Sequence, residues 1–188
     1  KNTFVYRTHD HPNPEKVLDF AQFAKQFGHK LNIEDTAISQ SLNKLMADIE
    51  GKPEQNVLQQ LAVRAMSKAK YTTDAKGHFG LAFPHYTHFT SPIRRYPDMM
   101  VHRLLQHYLD GGKSVNKKDY EEKCVHSSER EKRAADAERA SIKYKQVEFM
   151  KEFVGDEFDG VISGVAGFGF WVETVEHKCE GLVSLNSL

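Results

Sequence analysis

The sequence is poor in cysteine: only Cys124 and Cys179 occur among its 188 residues, and they form no Cys-x-x-Cys pair. This argues against a disulfide scaffold or a cysteine-bound zinc site, and it favours the reducing cytoplasm. No apolar run approaches the roughly 18 residues that a membrane-spanning helix needs, and no signal peptide opens the chain. We therefore predict a folded cytoplasmic protein of one or two domains that makes no membrane contact.

The chain also lacks an excess of charge of either sign, because 26 Lys and Arg residues balance 26 Asp and Glu residues. A dedicated nucleic-acid-binding protein usually carries a basic excess. The bulk charge therefore gives no support to nucleic-acid binding, and any such function must come from local patches.

Three helices are predicted in the first third of the chain. Asn13-Pro14-Glu15 provides an N-cap, a first-turn proline and an early acid, and Gly28 ends this helix. A second helix stops at Gly51, and Pro53-Glu54 begins a third. The apolar stripes that face the core are Val17, Leu18, Ala21, Ala24 and Phe27; Ile38, Leu42, Leu45, Met46 and Ile49; and Val57, Leu58, Leu61, Ala62, Ala65 and Met66.

The pattern changes after Gly77, where short aromatic segments predict loops or extended structure. Ser91-Pro92 has the form of a helix start, and that helix is expected to reach Gly111-Gly112, with Pro97 in its first turn or at a kink. A charged, alanine-rich segment without Gly or Pro then predicts long helical structure from about Lys117 to Phe153.

Beyond Gly155 the apolar residues alternate with period two, which predicts two strands around a glycine-rich turn and a third strand at 181–185. The fold class is therefore α+β. A mostly helical region, residues 1–154, precedes a truncated β-barrel, residues 155–188, that holds about half the strands of a small barrel. Both ends of the sequence look like cuts in a longer protein.

The segment richest in chemistry is Tyr86-Thr-His-Phe-Thr-Ser-Pro-Ile-Arg-Arg-Tyr-Pro-Asp98. It gathers hydroxyls, two adjacent guanidiniums and aromatic rings near a predicted helix N-terminus, which suits a phosphate group. An alternative stays open on residue types alone: Arg94 or Arg95 pairs with Asp98, and the aromatic rings fill the core.

This segment, with His78-Phe-Gly-Leu-Ala82 before it and Met-Met-Val-His-Arg-Leu-Leu105 after it, resembles the signature of the RNB catalytic domain of the ribonuclease II/R family. The resemblance covers about residues 1–150. It implies processive 3′→5′ hydrolysis of single-stranded RNA to nucleoside 5′-monophosphates by a monomer that uses two Mg²⁺ ions. It places Arg94 at the scissile phosphate, and it implies RNA contacts by Tyr86, Thr87, Ser91, Arg95 and Tyr96.

The sequence departs from that family at the metal site. The two metal ions are held by an aspartate cluster, whereas Asp35, Asp48, Asp74 and Asp98 are scattered singly here. No metal ligands are therefore predicted in this chain. We expect the Mg²⁺ ligands to belong to a longer parent protein and the fragment to be inactive by itself.

The segment Asp159-Gly-Val-Ile-Ser-Gly-Val-Ala-Gly-Phe-Gly-Phe-Trp-Val-Glu173, followed by Glu180-Gly-Leu-Val183, resembles the start of an S1-type OB-fold RNA-binding domain. This second resemblance implies that Phe168 and Trp171 stack on bases, with Gly169 allowing a backbone irregularity between them. In the alternative, aromatic and apolar residues of this segment, Phe170 and Val172 above all, form barrel core.

Two rival functions remain at this point. One is a non-catalytic RNA-binding or scaffold homologue that lacks the active-site aspartates. The other is a helical interaction domain whose arginines are structural, which predicts no RNA affinity.

Overall fold

The computed structural model describes residues 2–34 and 37–187, so Asp35 lies outside the described residues. The chain divides into two compact units, Lys1–Arg130 and Glu131–Leu188. The longest helix, α5 (Lys117–Met150), continues from the first unit into the second. The domain boundary predicted between residues 154 and 155 separates two domain families, and it stays a prediction.

Three helices form one core of the first unit: α1 (Pro14–Gln26), α2 (Ile38–Asp48) and α3 (Gln55–Ala65). The predicted cap is confirmed, because Asn13 Oδ1 accepts the backbone N–H groups of Glu15 and Lys16 at 2.9 and 3.3 Å. The predicted apolar stripe of α1 is partly wrong. Phe20 is buried between Val17 and Ala24, whereas Leu18 and Phe27 are exposed.

A second core of the first unit surrounds a two-stranded antiparallel sheet. Strand β1 (Tyr6–Thr8) pairs with β2 (Lys70–Thr72), and Arg7 lies opposite Tyr71. Helix α4 (Tyr96–Leu109) packs here, as does the first part of α5. The buried apolar residues are Val5, Tyr71, Met100, Val101, Leu104 and Cys124. Burial raises the pKa of the Cys124 thiol to about 12, so the thiol is not a reactive nucleophile.

Helix α4 begins five residues later than the sequence predicted, at Tyr96 instead of Ser91. Residues 92–94 form a turn, and Arg95 has an extended backbone, with φ −124° and ψ 108°. Pro97 occupies the first helical turn, as expected, where its missing N–H leaves no helical hydrogen bond unmade.

The second unit contains a three-stranded antiparallel sheet of β3 (Gly160–Ala166), β4 (Gly169–Thr174) and β5 (Glu180–Ser184), with β4 in the centre. The backbone irregularity lies in β3 between Ile162 and Gly164, and not at Gly169 as expected. Gly169 has another role: a Cβ there would lie 2.4 Å from the Val183 carbonyl oxygen, so only glycine permits this strand approach.

Helices and two small antiparallel sheets thus confirm the α+β class. Within residues 2–34 and 37–187, every helix is too short or too polar to cross a bilayer.

Candidate functional site

The loop that carries the motif, residues 86–95, is tied to the rest of the first unit by backbone contacts. The Arg7 N–H donates to the Tyr86 carbonyl at 2.9 Å, and Thr87 Oγ1 donates to the Val5 carbonyl at 2.9 Å. Farther along, His102 Nε2 donates to the Phe89 carbonyl at 2.7 Å, and the two rings stack at 4.1 Å. The loop is therefore held at both its start and its middle.

The end of the loop is closed by a buried carboxylate. Asp98 is fully buried, and its Oδ2 accepts the Ser91 N–H at 2.8 Å and an N–H of the Arg95 guanidinium at 2.9 Å. The Ser91 carbonyl in turn accepts the N–H groups of Arg94 and Arg95 at 3.3 and 3.0 Å. The arginine that pairs with Asp98 is thus Arg95.

Arg94 has the opposite environment. Its side chain is exposed, and within residues 2–34 and 37–187 its guanidinium makes one long contact, at 3.4 Å, with Ser91 Oγ. Its neighbour Ile93 is fully exposed, so the tip of this turn extends into solvent. This exposed guanidinium can offer its donors to an incoming anion, because the Asp98 carboxylate is already paired with Arg95.

Aromatic rings gather next to the loop. The Tyr86 ring lies nearly parallel to the exposed Phe83 ring, with centroids 6.1 Å apart, and meets the rings of His78 and His88 edge-on. Tyr96, also exposed, lines a separate surface cavity of about 310 Å³. That cavity is lined further by Asp119, Glu122, Lys123 and His126.

Two histidines lie beside these rings: His78 contacts Tyr86, and His9 contacts His78. The Gly80 N–H donates to His9 Nδ1 at 2.9 Å, so His9 carries its proton on Nε2 and donates to the Ser67 carbonyl at 2.6 Å. Partial burial lowers the pKa of His78, and the positive charge of Arg7 acts in the same direction. A neutral His78 supports the ring cluster without adding positive charge.

In the second unit, the structure brings the two predicted stacking rings together. Phe168 is exposed in the β3–β4 turn, and its ring meets the Trp171 ring edge-to-face at 5.7 Å. A Cβ at Gly164 would lie 3.3 Å from the indole, so glycine there lets Trp171 lie across β3. Phe170 and Val172, the alternative core residues, are half-buried.

Sequence reasoning kept a pair between Asp98 and one of the two arginines as an alternative, without deciding which arginine, and it missed the role of Thr87. The Thr87 hydroxyl donates to a backbone carbonyl and so has no proton left for a ligand. Asp98 emerged as the residue that closes the loop. Its position three residues after Arg95, in the first turn of a helix, was the available signal.

The residues present do not fit a metal pair. Among residues 2–34 and 37–187, no three His, Cys, Asp or Glu side chains lie close enough together to hold a metal ion. No metal ligands are therefore assigned in the part of the chain that the structure describes.

Comparison with known proteins agrees with the motif. Residues 1–111 match the family model described as the RNB domain. The chain belongs to the RNB family. Ribonuclease R of Aquifex aeolicus is 43% identical over 98% of this chain and 26% of its own length. Ribonuclease R 1 of Lactococcus lactis is 43% identical over 98% of this chain and 23% of its own length.

The RNB fold is also matched in three dimensions. The solved structure described as Mycoplasma genitalium RNase R in complex with ribose methylated single-stranded RNA superimposes with a TM-score of 0.87 at 25% identity. The superposition covers 100% of this chain and 30% of that chain. The chain thus spans about a quarter of the length of the curated relatives it matches.

Proposed function

We propose that residues 1–154 are the C-terminal part of the RNB domain of a 3′→5′ exoribonuclease, and that residues 155–188 begin an S1-type OB domain. In this proposal the full-length gene product is a cytoplasmic monomer that hydrolyses single-stranded RNA processively to nucleoside 5′-monophosphates. The observation that carries the proposal is the RNB match over residues 1–111, which includes the loop that exposes Arg94.

The reaction class assigns Arg94 a specific part. Hydrolysis of a phosphodiester builds negative charge on the phosphate oxygens in the transition state, and a planar guanidinium can donate two parallel hydrogen bonds to them. Arg94 meets this need because it is exposed and does not pair with Asp98. Arg95 pairs with Asp98, so it contacts RNA only through the guanidinium donors that Asp98 leaves unused.

The other predicted site residues supply RNA contacts in this proposal. Tyr86 and Tyr96 offer ring faces, Ser91 offers its hydroxyl, and Thr87 offers the acceptor side of a hydroxyl whose proton is already donated. Phe168 and Trp171 offer a two-ring platform for bases in the second unit. The complex with single-stranded RNA named for the Mycoplasma genitalium protein supports this class of ligand.

Mg²⁺ is the metal ion that we propose for the full-length protein. The described residues do not fit its site. No step of the reaction is therefore assigned to a metal ligand of this chain, and its proposed contribution is to hold RNA and to stabilise charge through Arg94.

The proposal is tested by Arg94→Ala in the full-length gene product. The turnover number on 3′-labelled single-stranded RNA should fall by about 10²–10³, because a charged donor to the transition state is lost. RNA affinity should stay nearly unchanged, since many other phosphate contacts remain. Arg94→Lys should recover only part of the rate, because the ammonium keeps the charge but loses the planar fork of donors.

Arg95→Ala is the matched control. It leaves the buried Asp98 carboxylate unpaired, so its main effect should be a loss of stability of about 3–5 kcal/mol. Near-normal turnover of Arg94→Ala, or a larger loss of kcat in Arg95→Ala, would show that the arginine is wrongly assigned. A wild-type protein that binds RNA without releasing mononucleotides would identify a non-catalytic homologue. The 188-residue chain alone should release none.

A further inference from the structure

The turn that presents Arg94 is closed by a single carboxylate oxygen. Asp98 Oδ2 accepts one N–H from the residue at the start of the turn, Ser91, and one from the residue at its end, Arg95. Arg94 lies between these two anchor points and has no comparable anchor of its own, since its one side-chain contact is 3.4 Å long. The geometry of the turn therefore depends on Asp98.

A gain in folding stability alone does not explain the Asp98–Arg95 pair. Asp98 is fully buried, and neither its Oδ1 nor Arg95 Nε makes a hydrogen bond among the described residues. A buried ion pair with unmade hydrogen bonds is often no more stabilising than apolar residues of similar volume. Such a pair can instead favour one local conformation, because moving either donor away would leave the buried carboxylate without that hydrogen bond.

Extending the function proposed above, on which this inference rests, we propose that Asp98 is a positioning residue for RNA hydrolysis. Its carboxylate fixes the Ser91–Arg95 turn so that the Arg94 guanidinium is held toward the scissile phosphate. Asp98 does not touch the RNA in this role. Asp98 also holds the Arg95 guanidinium, so Arg95 cannot bind the scissile phosphate in place of Arg94.

A double-mutant cycle in the full-length gene product tests this role. Asp98→Ala should lower kcat by about 10–100-fold, because a displacement of about 1 Å at a reacting group has effects of this size. The Kd for single-stranded RNA should change less than about threefold. Asp98→Asn, whose amide oxygen can still accept the Ser91 N–H, should lose less rate than Asp98→Ala.

The decisive comparison is Asp98→Ala added to Arg94→Ala. If Asp98 acts through Arg94, the double variant should be no more than about twofold slower than Arg94→Ala, because the group that Asp98 positions is already absent. Losses that multiply would overturn the inference, as would unchanged kcat in Asp98→Ala. In both cases a large loss in Arg94→Ala alone would leave the proposed function standing. Near-normal turnover of Arg94→Ala would instead show that the arginine is wrongly assigned, and a wild-type protein that releases no mononucleotides would reject the proposed function.

A second measurement separates positioning from general unfolding. In the 188-residue chain, the Ser91 amide should exchange with solvent at least about tenfold faster in Asp98→Ala than in wild type, while the core amide of Leu104 keeps its protection. Equal acceleration at both amides, or none at Ser91, would overturn the role assigned to Asp98.

Discussion

At the scale of single residues, Glu121 of α5 shows how strongly one carboxylate can tie two elements together. It accepts hydrogen bonds from Thr72 Oγ1 at 3.0 Å, from the Thr73 N–H at 2.6 Å and from Thr73 Oγ1 at 2.5 Å. Burial acts to raise the pKa of Glu121, but the bonds from Thr73 and Thr72 outweigh burial, and the pKa lies below its usual value of 4.5. The charged form therefore joins α5 to the end of β2.

Glu121→Gln should lower the free energy of unfolding at pH 7 by about 1–3 kcal/mol, because the hydrogen bonds lose their charged acceptor. A carboxyl whose folded-state pKa is lowered contributes stability that is present above about pH 4.5 and lost as the pH falls through the folded-state value. The difference between wild type and variant should therefore shrink toward pH 3. Urea unfolding of the 188-residue chain at several pH values measures this.

Glu122→Gln is the matched control, since Glu122 is the next residue of the same helix and is exposed. It should change the free energy of unfolding by less than about 0.5 kcal/mol. A gap between wild type and Glu121→Gln that is the same at pH 3 as at pH 7 would contradict the account.

At the scale of elements, Ala82 ends the short 3-10 turn Phe79–Leu81 in the left-handed region, with φ 55° and ψ 31°. A residue with a Cβ is strained there by about 1–2 kcal/mol, whereas glycine is not. Ala82→Gly should therefore leave the chain at least as stable as wild type. Ala75→Gly, the same exchange at a position without positive φ, should destabilise it by about 0.5–1 kcal/mol. Thermal unfolding of the two variants compares them, and an equal loss in both would refute the strain.

The elements also show what sequence patterns can and cannot determine. The start of α1 was predicted correctly because its signals, Asn13 and Pro14, act within one helical turn. The predicted start of α4 was wrong, although Ser91-Pro92 carries the same local signals. There the Ser91 N–H bonds to the buried Asp98 carboxylate, and the preference for a cap is overruled by that contact.

The candidate site follows the same division. Its place in the chain could be predicted because the motif is long and dense in guanidinium, hydroxyl and aromatic groups. The hydrogen-bond partner of each group could not be predicted. Arg94 and Arg95 are chemically identical, and only the packing of the folded chain places the buried Asp98 carboxylate next to Arg95. Thr87 gave no sequence signal that its hydroxyl proton goes to Val5, a residue 82 positions away.

At the scale of the whole chain, apolar burial is unevenly divided. Both clusters of buried apolar side chains belong to the first unit. In the described part of the second unit, Cys179 is the one apolar side chain that is buried, while Val165 and Ile162 of β3 are 77% and 59% exposed. A three-stranded sheet with so little burial is only weakly stabilised, and among the described residues neither outer strand pairs with a further strand.

We therefore expect the second unit to open locally before the first unit unfolds. Hydrogen exchange of the 188-residue chain should show lower protection for the amides of β4, the central strand, than for those of Ile49 and Leu104 in the two cores. Ile49 is a fair reference because its N–H is hydrogen-bonded to the Leu45 carbonyl at 3.0 Å, as the β4 amides are bonded in their sheet. Adding a low concentration of urea should accelerate the core amides more steeply than those of β4, because global unfolding exposes more surface than local opening. Equal protection and equal urea dependence in both units would mean that the chain unfolds as one cooperative body, and that the exposed apolar surface of β3 does not weaken its sheet.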